Sequence, residues 1–189
     1  MKKIIFFFIL FFNSNVLAQD LQKAYFAGGC FWCMEESFEK FDGVIEVLSG
    51  YSGGTTENPT YDEDTYGNTG HFETIEIIYD KNKTNYRNLL DHFWKNIDPF
   101  DEYGQFCDKG YSYRSVAFYE NIEQKNLIEK SIKKLEKKFK KKIVTYVIRF
   151  DRFYKAEEKH QNYYEVKFLN YLRYKKACGR ERKLNKIWN

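Results

Sequence analysis

Hydrophobic and polar positions follow one another along the chain in short blocks whose period keeps changing. Lys23 to Ala27 reads as a short strand stopped by Gly28-Gly29. Phe31 to Phe41 then takes helical spacing and is closed by Asp42-Gly43. Val44 to Tyr51 returns to a strand of mixed alternation. His71 to Tyr79 is the clearest strand, with Glu73, Ile75, Ile77 and Tyr79 on one face. Asn85 to Trp94 predicts a helix and Arg114 to Tyr119 a strand. Asn121, with Gln124 three residues on, predicts a capped helix start. Ile128, Ile132, Leu135 and Phe139 recur at helical spacing behind it. Ile143 to Phe150 predicts one more strand, and the segment from Glu157 a mixture of helix and coil. Strands and helices interleave with no repeat or Pro-rich linker between them. That predicts a single α+β or α/β sandwich of a sheet against helices. Two long polar loops are left over, one running to Gly70 and one to about Ser112, and ordered loops of that length usually carry function.

The first residues obey a different rule. Met1-Lys2-Lys3 precedes an apolar run from Ile4 to Phe12, a polar Asn13-Ser14-Asn15, and Val16-Leu17-Ala18. A basic start, a short apolar core and small residues predict a signal peptide over 1–18, cut after Ala18. A bilayer needs about 20 apolar residues, so the run is too short to span one. An uncleaved anchor is the alternative. Cleavage would leave a domain over 19–189, exported and periplasmic, with no stable membrane association. The formal charge of +4 falls with the two leader lysines to about +2, too weak a bias to argue for nucleic acid. Lys133, Lys134, Lys137, Lys138, Lys140, Lys141 and Lys142 share a stretch with the apolar spacing just described, so they read as its solvated face.

Candidate chemistry centres on four cysteines, Cys30, Cys33, Cys107 and Cys178. An exported chain with an even count can hold structural disulfides, yet a domain of this size does not need them. Strand, Gly-Gly, Cys, helix places the Cys30 thiol at a helix N-terminus, where free N–H groups and the dipole lower a thiol pKa. The glycines allow a tight turn and an open side for a substrate. Cys30-Phe31-Trp32-Cys33 is also a C-x-x-C motif, which a disulfide oxidoreductase or half a zinc site could use. The first would want a cis-proline opposite the motif, and Pro59 and Pro99 precede no plausible strand. The second would want another close ligand pair, and Cys107 and Cys178 are solitary, so no metal is expected. Glu73 lies on the apolar strand face, where desolvation would raise its pKa and suit it to give a proton. A strand-end carboxylate turned to water is the alternative. Tyr61 and Tyr113, one in each long loop, read singly as packing.

Together these segments resemble the methionine sulfoxide reductase A family. Gly28-Gly29-Cys30-Phe31-Trp32 matches its nucleophile motif. Gly50-Tyr51-Ser52-Gly53-Gly54 and Asn58-Pro59-Thr60-Tyr61 match its first loop, and Thr69-Gly70-His71-Phe72-Glu73 the segment carrying the acid. Asp108-Lys109-Gly110-Tyr111-Ser112-Tyr113-Arg114-Ser115 matches the second loop. His160-Gln161-Asn162-Tyr163-Tyr164 and Cys178-Gly179-Arg180 match the C-terminal part, so the likeness runs from about Ala24 to Trp188.

The resemblance implies a mixed sheet with helices around a ferredoxin-like core, and a peptide-methionine (S)-S-oxide reductase. Cys30 would attack the sulfoxide sulfur and be left as a sulfenic acid. Glu73 would protonate the oxygen, Tyr61 and Tyr113 would hydrogen-bond it, and Asp108 would support the site. Phe31 and Trp32 would receive the S-methyl group. No bound cofactor is implied, only an external thioredoxin-type dithiol acting on a monomer. The resolving thiol is first Cys178, where family tails carry theirs, on a flexible Lys-rich stretch; Cys33 and Cys107 are the alternatives. Many members have Gly in place of Cys33 and Asn in place of Cys107, and the three cysteines together resemble a subgroup. Glu165-Val166-Lys167 stands where a proline usually follows the paired tyrosines, which bears on the path toward Cys178.

Overall fold

A computed structural model describes residues 20–189, so the expected signal peptide lies outside the described residues. Alternation along β1 (Leu21–Gly28) sends Ala24 and Phe26 to one face of a sheet and Tyr25 and Ala27 to the other. Helix α1 (Phe31–Glu39) carries the chain to β2 (Val44–Ser52), which has a register shift between Val44 and Glu46. The first long loop holds a short helix α2 (Tyr61–Tyr66). Strand β3 (Phe72–Asp80) pairs antiparallel with both β1 and β2, and α3 (Tyr86–Lys95) follows it. The second loop folds into a hairpin of β4 (Gly104–Gln105) and β5 (Asp108–Lys109) and a 3-10 turn at Tyr111–Tyr113. Strand β6 (Ser115–Tyr119) joins β1 antiparallel. The order β6-β1-β3-β2, with crossovers through α1 and α3, is the ferredoxin-like arrangement.

Beyond β6 come the Lys-rich α4 (Ile122–Phe139), β7 (Tyr146–Arg149) parallel to β6, and β8 (Phe153–Lys155) antiparallel to β2. The predicted strand to Phe150 is therefore shorter, and β8 was not anticipated. Asn121 caps α4 by accepting from the Gln124 N–H at 2.9 Å, while the Gln124 amide oxygen accepts from the Glu120 N–H at 2.7 Å. Lysines 133, 134, 137, 138, 140, 141 and 142 are all exposed, with Ile128 buried beneath them. The tail is more regular than expected: a 3-10 turn at Glu158–His160, then α5 (Tyr163–Val166), α6 (Phe168–Cys178) and α7 (Arg180–Trp188). Gly179, at φ +67°, makes the corner between the last two.

The main core lies between one sheet face and α1, α3 and α4. Phe26, Ile75 and Ile77 of the sheet meet Phe31, Met34 and Phe38 of α1 and Leu89 and Phe93 of α3. Each fully buried side chain of this size contributes about 1.5–3 kcal/mol. The other sheet face buries Tyr25, Phe72 and Phe118, covered by Phe150 and Phe153. No helix among the described residues is long and apolar enough to cross a membrane.

Candidate active site

The turn between β1 and α1 is built around a near absence of space. A Cβ on Gly28 would lie 2.6 Å from the Met34 sulfur, and one on Gly29 2.5 Å from Gln105 Cβ. Gly29 also takes φ +77°, a region that side chains rarely adopt. The glycines thus admit neighbouring side chains rather than leaving an open side for substrate. Gln105 is pinned there by its own backbone-mimicking bonds: its amide accepts from the Asp98 N–H at 2.8 Å and donates to the Asp98 carbonyl at 2.9 Å.

Cys30 caps α1 and lines a cavity of about 40 Å³ with Phe31, Trp32, Tyr61, Glu73, Asp108, Tyr113 and Tyr174. The two long loops, the first strand-helix turn and the tail all meet here. Glu73 is 2 % exposed, on the same face of β3 as Ile75 and Ile77, and accepts from the Phe31 N–H at 2.9 Å. Burial pushes its carboxyl well above the usual range, and the Asp64 and Asp108 charges add to that; one N–H bond does not offset them. The shift favours the protonated carboxyl over the carboxylate. Tyr61 is pushed up to about 12 by burial and then by the Glu73 charge, and Tyr113 is raised for the same reasons, so both phenols stay protonated.

The helix-dipole expectation for Cys30 fails. Burial first, then its hydrogen bond to Cys33, then the negative neighbours Cys33, Glu73 and Asp108 push its thiol well above the ordinary value. The first amide of α1, which would have served the thiol, is spent on Glu73, and Cys30 makes no side-chain cap bond. Cys33 carries the anion instead. Its pKa is pushed down to about 7, chiefly by the Cys30 hydrogen bond, then by Arg180 and the Tyr171 hydroxyl, against the cost of burial.

The other two cysteines lie in a different state. Cys107 and Cys178, 71 residues apart, are joined in a disulfide, while Cys30 and Cys33 are free thiols. Cys178 is the buried end of α6 rather than part of a flexible stretch. A disulfide that the size of the domain did not call for thus ties the second loop to the tail. Cys107, Asp108 and Cys178 offer ligand atoms within 4.8 Å of one another, but two of those atoms are the bonded sulfurs, which leaves a single carboxylate.

A family model described as peptide methionine sulfoxide reductase matches residues 22–189. The chain belongs to that family. The peptide methionine sulfoxide reductase MsrA of Halalkalibacterium halodurans is 46 % identical over 174 residues, covering 91 % of this chain and 99 % of the relative. Among solved structures, methionine sulfoxide reductase A of Corynebacterium diphtheriae is 28 % identical with a TM-score of 0.70, covering 77 % of this chain and 74 % of that one. Mxr1 of Saccharomyces cerevisiae in reduced form is 26 % identical with a TM-score of 0.73, covering 80 % and 90 %.

Within this family framework the tail contributes more to the site than its sequence announced. Tyr174 donates to Asp108 at 2.5 Å and closes one side of the cavity. Tyr163 stacks on Trp32 at 3.9 Å, and His160 packs against Tyr61 at 4.4 Å and Trp32 at 5.8 Å. Glu157 accepts from the Tyr61 N–H and the Tyr51 hydroxyl, both at 3.1 Å. Glu35, fully buried on α1, accepts from the Asn162 N–H at 2.9 Å, and burial lifts its pKa to about 7. Gln161 grips Ser49 of β2 through both backbone groups. Arg180 reaches under the glycine turn and donates to the Gly28 carbonyl at 3.1 Å and the Asn96 carbonyl at 2.6 Å.

Proposed function

We propose that this chain reduces methionine sulfoxide, as the S epimer, free or within peptides, and that Cys30 is its nucleophile. The observation that carries this reading is the presence, in one small aromatic-walled cavity, of a thiol and a buried carboxyl whose burial favours its protonated form. Glu73 donates that proton to the sulfoxide oxygen as charge builds on it, with Tyr61 and Tyr113 as further donors. Cys33, anionic beside Arg180, takes the Cys30 proton as Cys30 Sγ bonds the substrate sulfur. Phe31 and Trp32 pack around the S-methyl group, and Asp108, held by Tyr174, orders the second loop. The protonated oxygen passes from the substrate sulfur to Cys30 Sγ as the bond between the two sulfurs breaks, methionine departs, and Cys30 is left as a sulfenic acid.

Cys33 then attacks the Cys30 sulfur, water leaves, and a Cys30–Cys33 disulfide forms. Of the three candidates Cys33 has the best support, because it is a free thiol one helical turn from Cys30 while Cys178 and Cys107 are bonded to each other. An external dithiol of thioredoxin type restores the pair. The leader-like segment 1–18 supports an exported enzyme, which fractionation of cells carrying the full chain would test.

The decisive experiment follows S-sulfoxide consumption with dithiothreitol as reductant. Glu73→Gln is expected to slow methionine formation by about 10²-fold while the melting temperature stays close to wild type. Unchanged turnover would remove Glu73 from the acid role.

A further inference from the structure

A cleft of about 580 Å³ lies between α3, α4 and α7 and shares no lining residue with the sulfoxide cavity. Trp94 and Trp188 line it together with Leu135 and Leu184. Both indole N–H groups are already spent inside the protein. Trp94 donates to the Ser131 hydroxyl at 2.9 Å, and Trp188 to the Ile97 carbonyl at 3.1 Å. What the two tryptophans offer a ligand is therefore ring surface. The same bonds, with Trp188 set perpendicular to Phe139 at 5.3 Å, hold the walls in place before anything enters.

The charge at the rim is uncompensated. Lys95, Lys134 and Lys138 are exposed there, and none of them forms an ion pair among the described residues. Lys138 stands 5.8 Å from the Trp188 ring centre. Asp91 is the one acidic side chain lining the cleft. Trp94 and Lys95 end α3, and Trp188 ends α7. The carbonyl ends of two helices thus lie beside the cleft and together count as about one further negative charge. Three ammonium groups against one carboxylate and two helix ends leave room for a single negative charge, not for two.

We propose that this cleft binds a small amphipathic carboxylate, an aromatic or aliphatic body carrying one negative charge. The apolar body lies against Trp94 and Trp188, between Leu135 and Leu184, and the carboxylate meets the ammonium groups of Lys134 and Lys138. A volume of about 580 Å³ falls within the range of small-molecule sites. A neutral ligand would leave the lysines uncompensated, and a phosphate dianion would meet Asp91 and the helix ends. Walls from three helices suit a compact free molecule better than the broad contact of a folded partner. Two lysines of the α4 run thus flank a binding site as well as facing solvent.

The test titrates the full chain with naphthylacetate and follows the tryptophan indole N–H signals by heteronuclear NMR. The chain has three tryptophans, so each signal reports one place. Saturable shifts are expected for Trp94 and Trp188, with Trp32 unmoved. The neutral naphthylacetamide and the dianion naphthyl phosphate are each expected to bind about tenfold more weakly than naphthylacetate. Lys134→Glu and Lys138→Glu are each expected to weaken naphthylacetate by about tenfold while sulfoxide turnover with dithiothreitol is unchanged. No saturable shift at Trp94 and Trp188, equal or tighter binding of the amide or the phosphate, or unaltered affinity in both variants would overturn the proposal. Saturation by an acidic, phenylalanine-bearing peptide with no response to naphthylacetate would make the cleft a protein-docking surface and overturn it too.

Discussion

Two pairs of cysteines sit a short distance apart in this molecule and differ in every property that governs sulfur chemistry. Cys30 and Cys33 are one helical turn apart, buried, reduced, and surrounded by groups that pull their pKa values in opposite directions. Cys107 and Cys178 are 71 residues apart and already joined, one exposed on a loop and one buried at a helix end. The first pair closes almost no chain when oxidised, so its bond adds little stability and is free to cycle. The second closes a long loop, which in a chain-entropy account is worth about 4 kcal/mol and favours a bond that stays made. What separates a redox couple from a staple is loop length and neighbours, not the sulfur itself.

The comparison can be broken most sharply at Cys30. Cys30→Ser is expected to lower methionine formation by about 10³-fold or more, with the far-ultraviolet spectrum unchanged. Retained activity would place the nucleophile elsewhere. Cys178→Ser is expected to leave the first turnover intact yet cost about 4 kcal/mol in denaturant unfolding under non-reducing conditions. Loss of the first turnover in this variant, with the fold preserved, would make the second pair part of the chemistry and erase the distinction drawn above.

A smaller effect sharpens the contrast within the first pair. Cys33 must be anionic to take the Cys30 proton, so below its pKa of about 7 the single-turnover rate should fall about tenfold per pH unit, and above it should level off. Glu73, whose pKa is raised, must stay protonated, so its titration bounds the plateau on the alkaline side. In Cys33→Ser the acid-side limb should move to higher pH, and the Cys30 sulfenic acid should persist long enough to be labelled by dimedone. A limb that stays at about 7 in this variant would assign it to another group.

Much of the fold was legible because its sheet buries faces unequally. Alternation in β3 placed Glu73 with Ile75 and Ile77, and the Asn121-Gln124 pair marked the start of α4. What escaped has identifiable causes. Helix α2 is six polar residues long, and its only sequence signal is the Thr60–Glu63 capping box. Strand β8 spans three residues, too few for a period to show. The Cys107–Cys178 bond joins two solitary cysteines, a pairing that spacing cannot reveal. Tyr174 stands in a Lys-rich run with nothing to separate it from a surface tyrosine, and only the tertiary fold aims it at Asp108. The direction of the Cys30 shift escaped because burial outweighs the helix start, whose amide donor also has a competing carboxylate. No local pattern records that Phe31 gives its N–H to a residue 42 positions away.

Arg180 contacts the carbonyl of Gly28 across 152 residues of sequence. A ribosome therefore makes the nucleophile's turn near the start of its work and the guanidinium beneath it long afterwards. Until α6 and α7 emerge, Cys33 has neither Arg180 nor Tyr171 beside it, and the sulfoxide cavity lacks Tyr174. The growing chain would thus carry Cys33 as an ordinary thiol, and the complete site would form only once the tail has closed over the turn. Synthesis order becomes a timer, because the last residues made complete the pocket that the first ones begin.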